Sequence, residues 1–165
     1  MERQVFDRRL NEQLSEAECL IPKTMSADRQ ISNHAVDARE WQRFELDLWD
    51  IGETIRRLIL ESRKKPNREQ LGRICGICVN LFAGRGRQSF VLLLGKKCYA
   101  EYAPLIAPFL SDSDIAGQTA DTLYKMGTPD YISQMEPLTR HKQTWIRNIA
   151  KKYVDKYNAS KTKPV

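Results

Sequence analysis

Apolar side chains that recur every three or four residues constrain this 165-residue chain more than any other feature. The clearest run follows Asp37 and Glu40, which are spaced as a helix N-cap and its third residue. Leu46, Trp49 and Leu60 lie off this stripe and predict a second covered face. The stripe itself comprises Trp41, Phe44, Leu48, Ile51, Ile55 and Leu58. Since no segment alternates convincingly with period two, the chain is predicted to be all-α.

Helices of the same kind are predicted on both sides of this run. Residues 2–21 form an amphipathic helix that Pro22 ends, and residues 23–35 are polar and without period, as in a loop. Pro66 stops the long helix, and Asn67 caps a third one. The first helix buries Phe6, Leu10, Leu14, Ala17 and Ile21. The third buries Leu71, Ile74, Cys75, Cys78, Leu81 and Phe82.

Cys75 and Cys78 form a Cys-x-x-Cys pair, which suggests a zinc site, a redox centre or simple packing. A zinc site needs two more ligands at a matching spacing. The remaining candidates offer no second pair: Cys19, Cys98, His34 and His141. A thioredoxin-like centre needs a preceding strand. Both thiols lie where leucines and isoleucines lie, so we predict small packed hydrophobes and neither a metal ion nor another cofactor.

The sequence AGRGR at residues 83–87 places two glycines and two arginines after this helix. It is not a phosphate-binding loop, because G-x-x-x-x-G-K-S/T is absent and its G-x-G lacks a third glycine. A tight turn between two helices is predicted instead. Arg85 and Arg87 would then be available to an acidic partner.

The net charge of +6 is unevenly distributed along the chain. Residues 1–65 hold 12 Lys and Arg against 13 Asp and Glu, whereas residues 66–165 hold 15 against 8. This asymmetry predicts that the C-terminal part meets an acidic molecule. The longest apolar run, Phe90 to Leu94, is too short for a bilayer, and the N-terminus lacks the apolar core of a signal peptide. A cytoplasmic location without membrane contact is expected.

The C-terminal half resembles itself at a spacing of 29 residues. KKCYAEYAPLIAPFL aligns with YKMGTPDYISQMEPL, which pairs Tyr102 with Tyr131 and Pro108 with Pro137. Each unit is predicted to be a helix with a late proline, a polar turn and a second helix, and residues 67–98 form a weaker earlier unit. Because a two-helix unit cannot bury its apolar face alone, neighbouring units must stack. The second helices are predicted to begin near Gln88, Ile115 and Thr144.

SDSDIAGQTADTLYKMG and QTWIRNIAKKYVDKY carry an acidic turn, an aliphatic position, an alanine in the second helix and aliphatic-Arg-x-x-Ala. On these features residues 67–157 resemble the HEAT and armadillo-like helical repeats. The resemblance implies an α-solenoid of about three helix pairs. Residues 1–65 would precede it as N-terminal helices of the same domain, and residues 158–165 would form a flexible tail.

Short helical stacks present a continuous face to a partner. In architecture this stack is similar to some immunity proteins, which bind and neutralise one cognate toxin. The resemblance implies a protein-binding module for an acidic partner, with a toxin domain as the candidate. Its predicted contacts are the basic residues at or near the second helices: Arg85, Arg87, Lys96, Lys97, Lys125, Arg147, Lys151 and Lys152. Ile146, Ile149, Ala150, Tyr153 and Tyr157 are predicted to be core, with Trp145 also packed.

Nucleic-acid binding is the alternative, because the chain also resembles the HEAT-like stack of one DNA glycosylase family. A basic face would then neutralise phosphates. Its residues would be Arg140, Lys142, Arg147, Lys151 and Lys152. Aromatic residues do not interleave with these in a stacking pattern, so a protein partner is the favoured prediction.

Catalytic chemistry is not predicted. His34 and His141 lie in polar segments without a neighbouring acid or cysteine in a recognised arrangement, and no hydrolase or metalloprotease motif is present. Asp112 and Asp114 belong to a turn, where capping explains them. We therefore expect a binding protein and not an enzyme.

Overall fold

A computed structural model of the chain describes residues 1–24 and 41–161, with side chains through residue 159. Within these ranges the chain is helical and contains no strand, which confirms the all-α prediction. The α-helices are α1 Arg3–Leu20, α2 Arg43–Ser62, α3 Arg68–Val79, α4 Arg87–Leu93, α5 Ala103–Ile106, α6 Ala116–Met126, α7 Ile132–Met135 and α8 Thr144–Lys161. The 3-10 segments are Leu81–Gly86, Lys97–Tyr102, Ala107–Ser111 and Glu136–Arg140. Over the described ranges, each helix is too short or too polar to span a bilayer.

The chain divides into two compact units, residues 1–93 and residues 94–165. This division differs from the predicted one, in which the N-terminal helices end at residue 65 and a repeat array begins at residue 67. Helix α3, predicted to open that array, packs on α1 and α4 inside the first unit.

In the first unit the predicted apolar stripes are largely buried. Phe6, Leu10, Leu14 and Ala17 of α1 and Leu48 and Ile55 of α2 have no exposed surface. The predicted cap of α2 at Asp37 and Glu40 falls outside the described residues. The described helix starts at Arg43, where Gln42 and Glu45 form a capping box. The prediction of a second covered face was wrong for Leu46 and Leu60, which are 43% and 59% exposed.

Helix α3 begins as predicted, because the Asn67 side chain accepts a hydrogen bond from the Gln70 N–H. Its apolar face ends earlier than predicted. The helix stops at Val79, and the Asn80 side chain accepts from the Phe82 N–H and opens the 3-10 segment. Leu81 and Phe82 therefore leave the helical face and are 50% and 37% exposed.

The predicted turn at residues 83–87 is confirmed, and glycine makes it feasible. Gly84 has φ 55° and ψ −138°, a conformation that side chains with a Cβ rarely adopt. A Cβ on Gly86 would stand 2.8 Å from Leu48 Cβ, so α2 packs directly on the turn. The turn therefore leads the chain closely back onto α2 before α4 starts at Arg87.

The second unit places its longer helices close to the predicted starts, with α6 from Ala116 and α8 from Thr144. The two predicted first helices are broken instead. Each consists of a four-residue α-helix followed by a 3-10 segment that contains Pro108 or Pro137. Proline lacks the N–H that would continue an α-helix, which accounts for the break. These paired elements lie 29 residues apart.

Gly127 ends α6 with φ 81°, and the next helix begins at Ile132. Helix α8 continues to Lys161, four residues into the segment predicted to be a flexible tail; residues 162–165 lie outside the described ranges.

Candidate functional site

The eight predicted contact residues fall into three groups by exposure. Lys96, Lys97, Lys125, Lys151 and Lys152 are exposed, Arg85 and Arg147 are partly buried, and Arg87 is buried. Arg85 and Arg87 belong to the first unit and the other six to the second. Only Arg147, Lys151 and Lys152 share one helix, α8.

Arg87 was wrongly assigned to the partner surface, because its side chain has no exposed area. Its Nε donates to the Gly84 carbonyl over 2.8 Å, and its Nη1 donates to the Cys78 carbonyl over 3.5 Å. The Arg87 side chain thus folds back against backbone carbonyl groups that precede it in the chain. Arg87 therefore stabilises the turn and is not available to a partner.

Arg85 is held within the first unit as well. Its guanidinium lies 5.9 Å from the centroid of the Trp41 ring, and its backbone N–H donates to Glu45 Oε1 over 3.0 Å. Glu45 is itself fully buried, and its other oxygen accepts from the Gln42 N–H at the start of α2. One carboxylate thus joins the first turn of α2 to the glycine turn.

Two of the exposed lysines have partners inside the second unit. Lys125 Nζ lies 2.6 Å from the Asp121 carboxylate, one helical turn earlier. Lys96 Nζ lies 6.0 Å from the centroid of the Tyr99 ring. Both lysines are exposed and contacts of this kind are weak, so these lysines can still exchange them for a partner.

Helix α8 has one buried face and one basic face. Its buried residues are Ile146, Ala150, Tyr153 and Tyr157, as predicted, whereas Ile149 is only partly buried. The helix contains five cations and one carboxylate, Asp155. Among the described residues, no carboxylate lies within ion-pair distance of the exposed Lys151 and Lys152. This basic face is the strongest candidate for a contact surface.

Arg147 orders the turn that starts α8. Its Nη1 donates to the His141 and Lys142 carbonyls over 2.8 and 3.3 Å, and its Nη2 donates to Thr144 Oγ1 over 3.0 Å. His141 accepts the Gln143 N–H at Nδ1. The guanidinium is therefore occupied by its own backbone, and its predicted contact with a partner would compete with these bonds.

Trp145 was predicted to be packed, and it is 44% exposed. The helical spacing of Trp145 indicates that it lies away from the buried face of α8. Trp145, Asn148 and Lys152 recur at steps of three and four, so they share a helical face that the buried residues do not. All three are exposed. The basic face of α8 thus includes a large aromatic side chain.

The cysteines at positions 75 and 78 are buried, as predicted. Burial raises the pKa of Cys75 to about 11 and raises the pKa of Cys78 well above its ordinary value. Both thiols therefore stay protonated near neutral pH and are poor nucleophiles. Within the described ranges, no cluster of three or more His, Cys, Asp or Glu is placed to hold a metal ion.

The remaining polar candidates have structural partners. Asp112 Oδ1 accepts the Asp114 N–H over 2.9 Å within the turn, but the N-cap of α6 is Ile115 and no side chain caps this helix. His34 falls outside the described residues. An open groove of about 400 Å³ between α1 and α2 is lined by charges of both signs, with Arg9, Arg57 and Glu61 among them.

No protein-family model matches the chain, and neither a curated protein nor a solved structure is similar to it. The functional proposal therefore depends on the geometry of the described residues.

Proposed function

We propose that the chain is a protein-binding module that docks an acidic protein through the basic face of α8. One observation carries the proposal: α8 contains five cations against one carboxylate, and its exposed Lys151 and Lys152 lack an ion-pair partner in the described part of the chain. Charge complementarity with an acidic surface gives such a face both specificity and a fast association rate.

Two like-charged pairs lie four residues apart on α8, Arg147 with Lys151 and Lys152 with Lys156. Each such pair destabilises a helix by a few tenths of a kcal/mol. Asp155 offsets part of this repulsion, because it follows Lys151 by four residues. Carboxylates of an acidic partner would offset the rest.

The finer form of the proposal is an immunity protein whose partner is a toxin domain. It is supported by the helical architecture and by the basic face, which suits an acidic toxin surface. The stacked, HEAT-like arrangement belongs to this proposal too. Two segments of the second unit, 29 residues apart, each place a short helix and a proline-containing 3-10 segment before a longer helix.

Co-expression with the proteins encoded on either side of its gene tests the proposal. We expect one of them to co-purify with the chain and, in the toxin form, to arrest growth when expressed without it. Lys151→Glu with Lys152→Glu should weaken the complex, and should do so less as salt rises. Arg8→Glu with Arg9→Glu is the matched control, because it reverses two adjacent exposed cations on α1.

The comparison of the two double variants decides the outcome. Equal weakening by both would mean that overall charge acts and that α8 is not the contact surface. A complex unaffected by the α8 variant would place the interface elsewhere.

Nucleic-acid binding remains the second proposal, since a helix this basic also suits phosphates. Binding of a random-sequence DNA duplex, measured by fluorescence anisotropy over a salt series, separates the two. For a duplex-binding protein, the logarithm of the association constant should fall linearly with the logarithm of the salt concentration. The slope should be about −0.9 for each phosphate that the protein neutralises. The α8 double variant should then make that slope shallower by about two.

A further inference from the structure

Trp145 combines exposure with a fixed orientation. The six-membered edge of its ring packs against Gly117 of α6, where a Cβ would stand only 2.6 Å from the ring Cζ2. Its Nε1 donates to Gln143 Oε1 over 3.0 Å. The ring is therefore positioned from two sides while 44% of the residue remains exposed.

The surroundings of the ring are ordered as well. Arg147 bonds two carbonyls and one hydroxyl of the turn that precedes it. Gly117 leaves room for the ring, since the added Cβ would also stand 2.7 Å from Ile146 Cγ1. A rigid aromatic side chain loses little conformational entropy when a partner covers it.

The neighbours of Trp145 on the exposed face are polar and basic. Asn148 and Lys152 follow it along that face, and Lys151 lies beside them. An interface hot spot is typically a large side chain at the centre of a contact, surrounded by weaker contacts, and tryptophan is strongly enriched in hot spots.

We infer that Trp145 is the specificity anchor of the α8 face and inserts into an apolar recess framed by carboxylates on an acidic protein. The inference rests on the proposed function and adds which side chain confers selectivity. Lysines 151 and 152 would mainly set the association rate, and Trp145 would set the dissociation rate.

Panning a random peptide library against the full chain tests this assignment without a known partner. We expect enriched peptides in which Asp or Glu flank an aromatic or aliphatic residue. The best peptide is then synthesised, and its affinity is measured at about 0.1 M and about 1 M salt, where the Debye length is about 10 Å and about 3 Å.

Trp145→Ala should weaken peptide binding by at least about 30-fold at both salt concentrations, as a hot-spot residue does. Lys151→Glu with Lys152→Glu should weaken it mainly at low salt. If Trp145→Ala does not fold, Trp145→Phe and Gln143→Ala replace it, and each should give a smaller loss than removal of the ring. Leu60→Ala is the matched control, an exposed apolar residue of α2, and should leave the affinity unchanged.

The outcomes separate the two proposals. Acidic peptides that bind the folded Trp145 variants as tightly as the wild type would overturn the anchor and leave the proposed function standing. A panning that enriches no acidic sequence would contradict the proposed function itself. A DNA duplex that displaces the peptide and binds Trp145→Ala equally well would assign the face to phosphates and overturn the anchor.

Discussion

Arg87 shows at the scale of a single residue how a charge can be structural. A buried guanidinium is tolerated only when its donors are occupied, and here the Gly84 and Cys78 carbonyls accept from it. We predict that Arg87→Met lowers the free energy of unfolding by roughly 1.5–3 kcal/mol, the usual contribution of hydrogen bonds to a charged group. Urea unfolding measures this change. Lys97→Met, at an exposed position, should change it by less than about 0.5 kcal/mol.

Because Cys75 and Cys78 are buried, the free energy of unfolding depends on pH in the alkaline range. Folding raises the pKa of Cys75 to about 11, whereas an unfolded cysteine titrates near about 8.5. The folded state then holds the thiol proton more tightly than the unfolded state does. The resulting contribution to the free energy of unfolding is complete below about pH 8.5 and is lost as pH rises toward 11.

We therefore predict that the free energy of unfolding falls between about pH 8.5 and pH 10, by less than about 1.4 kcal/mol per pH unit for each thiol. Cys75→Ala with Cys78→Ala should flatten this decline and should cost stability only modestly near neutral pH. Denaturant titrations at several pH values measure both effects. A decline of the same slope in the double variant would show that other groups cause it.

At the scale of helices, a close approach between α2 and α4 depends on one glycine. A Cβ on Gly52 would stand 2.6 Å from Ser89 Cβ, whereas a Cβ on Gly72 of α3 would meet nothing within 4 Å. We predict that Gly52→Ala destabilises the protein by about 1–3 kcal/mol through overpacking. Gly72→Ala should stabilise it by about 0.5–1 kcal/mol, because alanine favours the helix and has room. Thermal unfolding of both variants would compare the two, and equal shifts would contradict the packing argument.

Sequence pattern predicted the helices better than their ends. Periodicity located α1 within one residue at each end, and Asn67 marked the start of α3. The pattern continued through Leu81 and Phe82 because apolar spacing carries no record of Asn80, whose side chain ends the helix. The prolines at 108 and 137 lie in segments whose apolar pattern predicts one helix, but the structure breaks into a 3-10 segment at each of them.

The candidate site could be predicted only in part. Lysine is rarely buried, so the exposure of Lys151 and Lys152 followed from residue type. Arg87 could not be assigned from sequence, because its burial depends on how the Gly84 conformation directs the turn. The exposure of Trp145 could be predicted from its spacing with Asn148 and Lys152, but which part of the ring is covered depends on the approach of α6 at Gly117.

For the whole molecule, the charge is spread more evenly between the two compact units than along the sequence. Residues 1–93 hold 16 cations and 14 carboxylates, and residues 94–165 hold 11 and 7. A long-range field is therefore a weak source of selectivity, and the local density on α8 matters more.

This difference can be measured with the two charge-reversed variants. Each substitution of a cation by glutamate lowers the net charge by two, so either double variant changes the formal net charge from +6 to +2. We predict equal shifts in isoelectric focusing and melting temperatures close to that of the wild type, since the reversed residues are exposed. Association with an acidic ligand should slow only for the α8 variant. Equal slowing would show that the field of the whole molecule dominates.

The hydroxyl of Tyr153 has a consequence for the exchange of backbone protons with solvent. Tyr153 is fully buried, its hydroxyl donates to the Thr128 carbonyl, and it accepts the Tyr131 N–H over 3.2 Å. That amide precedes the short helix α7 and would exchange rapidly if no side chain covered it. We predict slow deuterium uptake at Tyr131 in the wild type and a selective acceleration in Tyr153→Phe, read by NMR against the Met135 amide. One side chain of the last helix thus determines how long a proton in the preceding linker is retained.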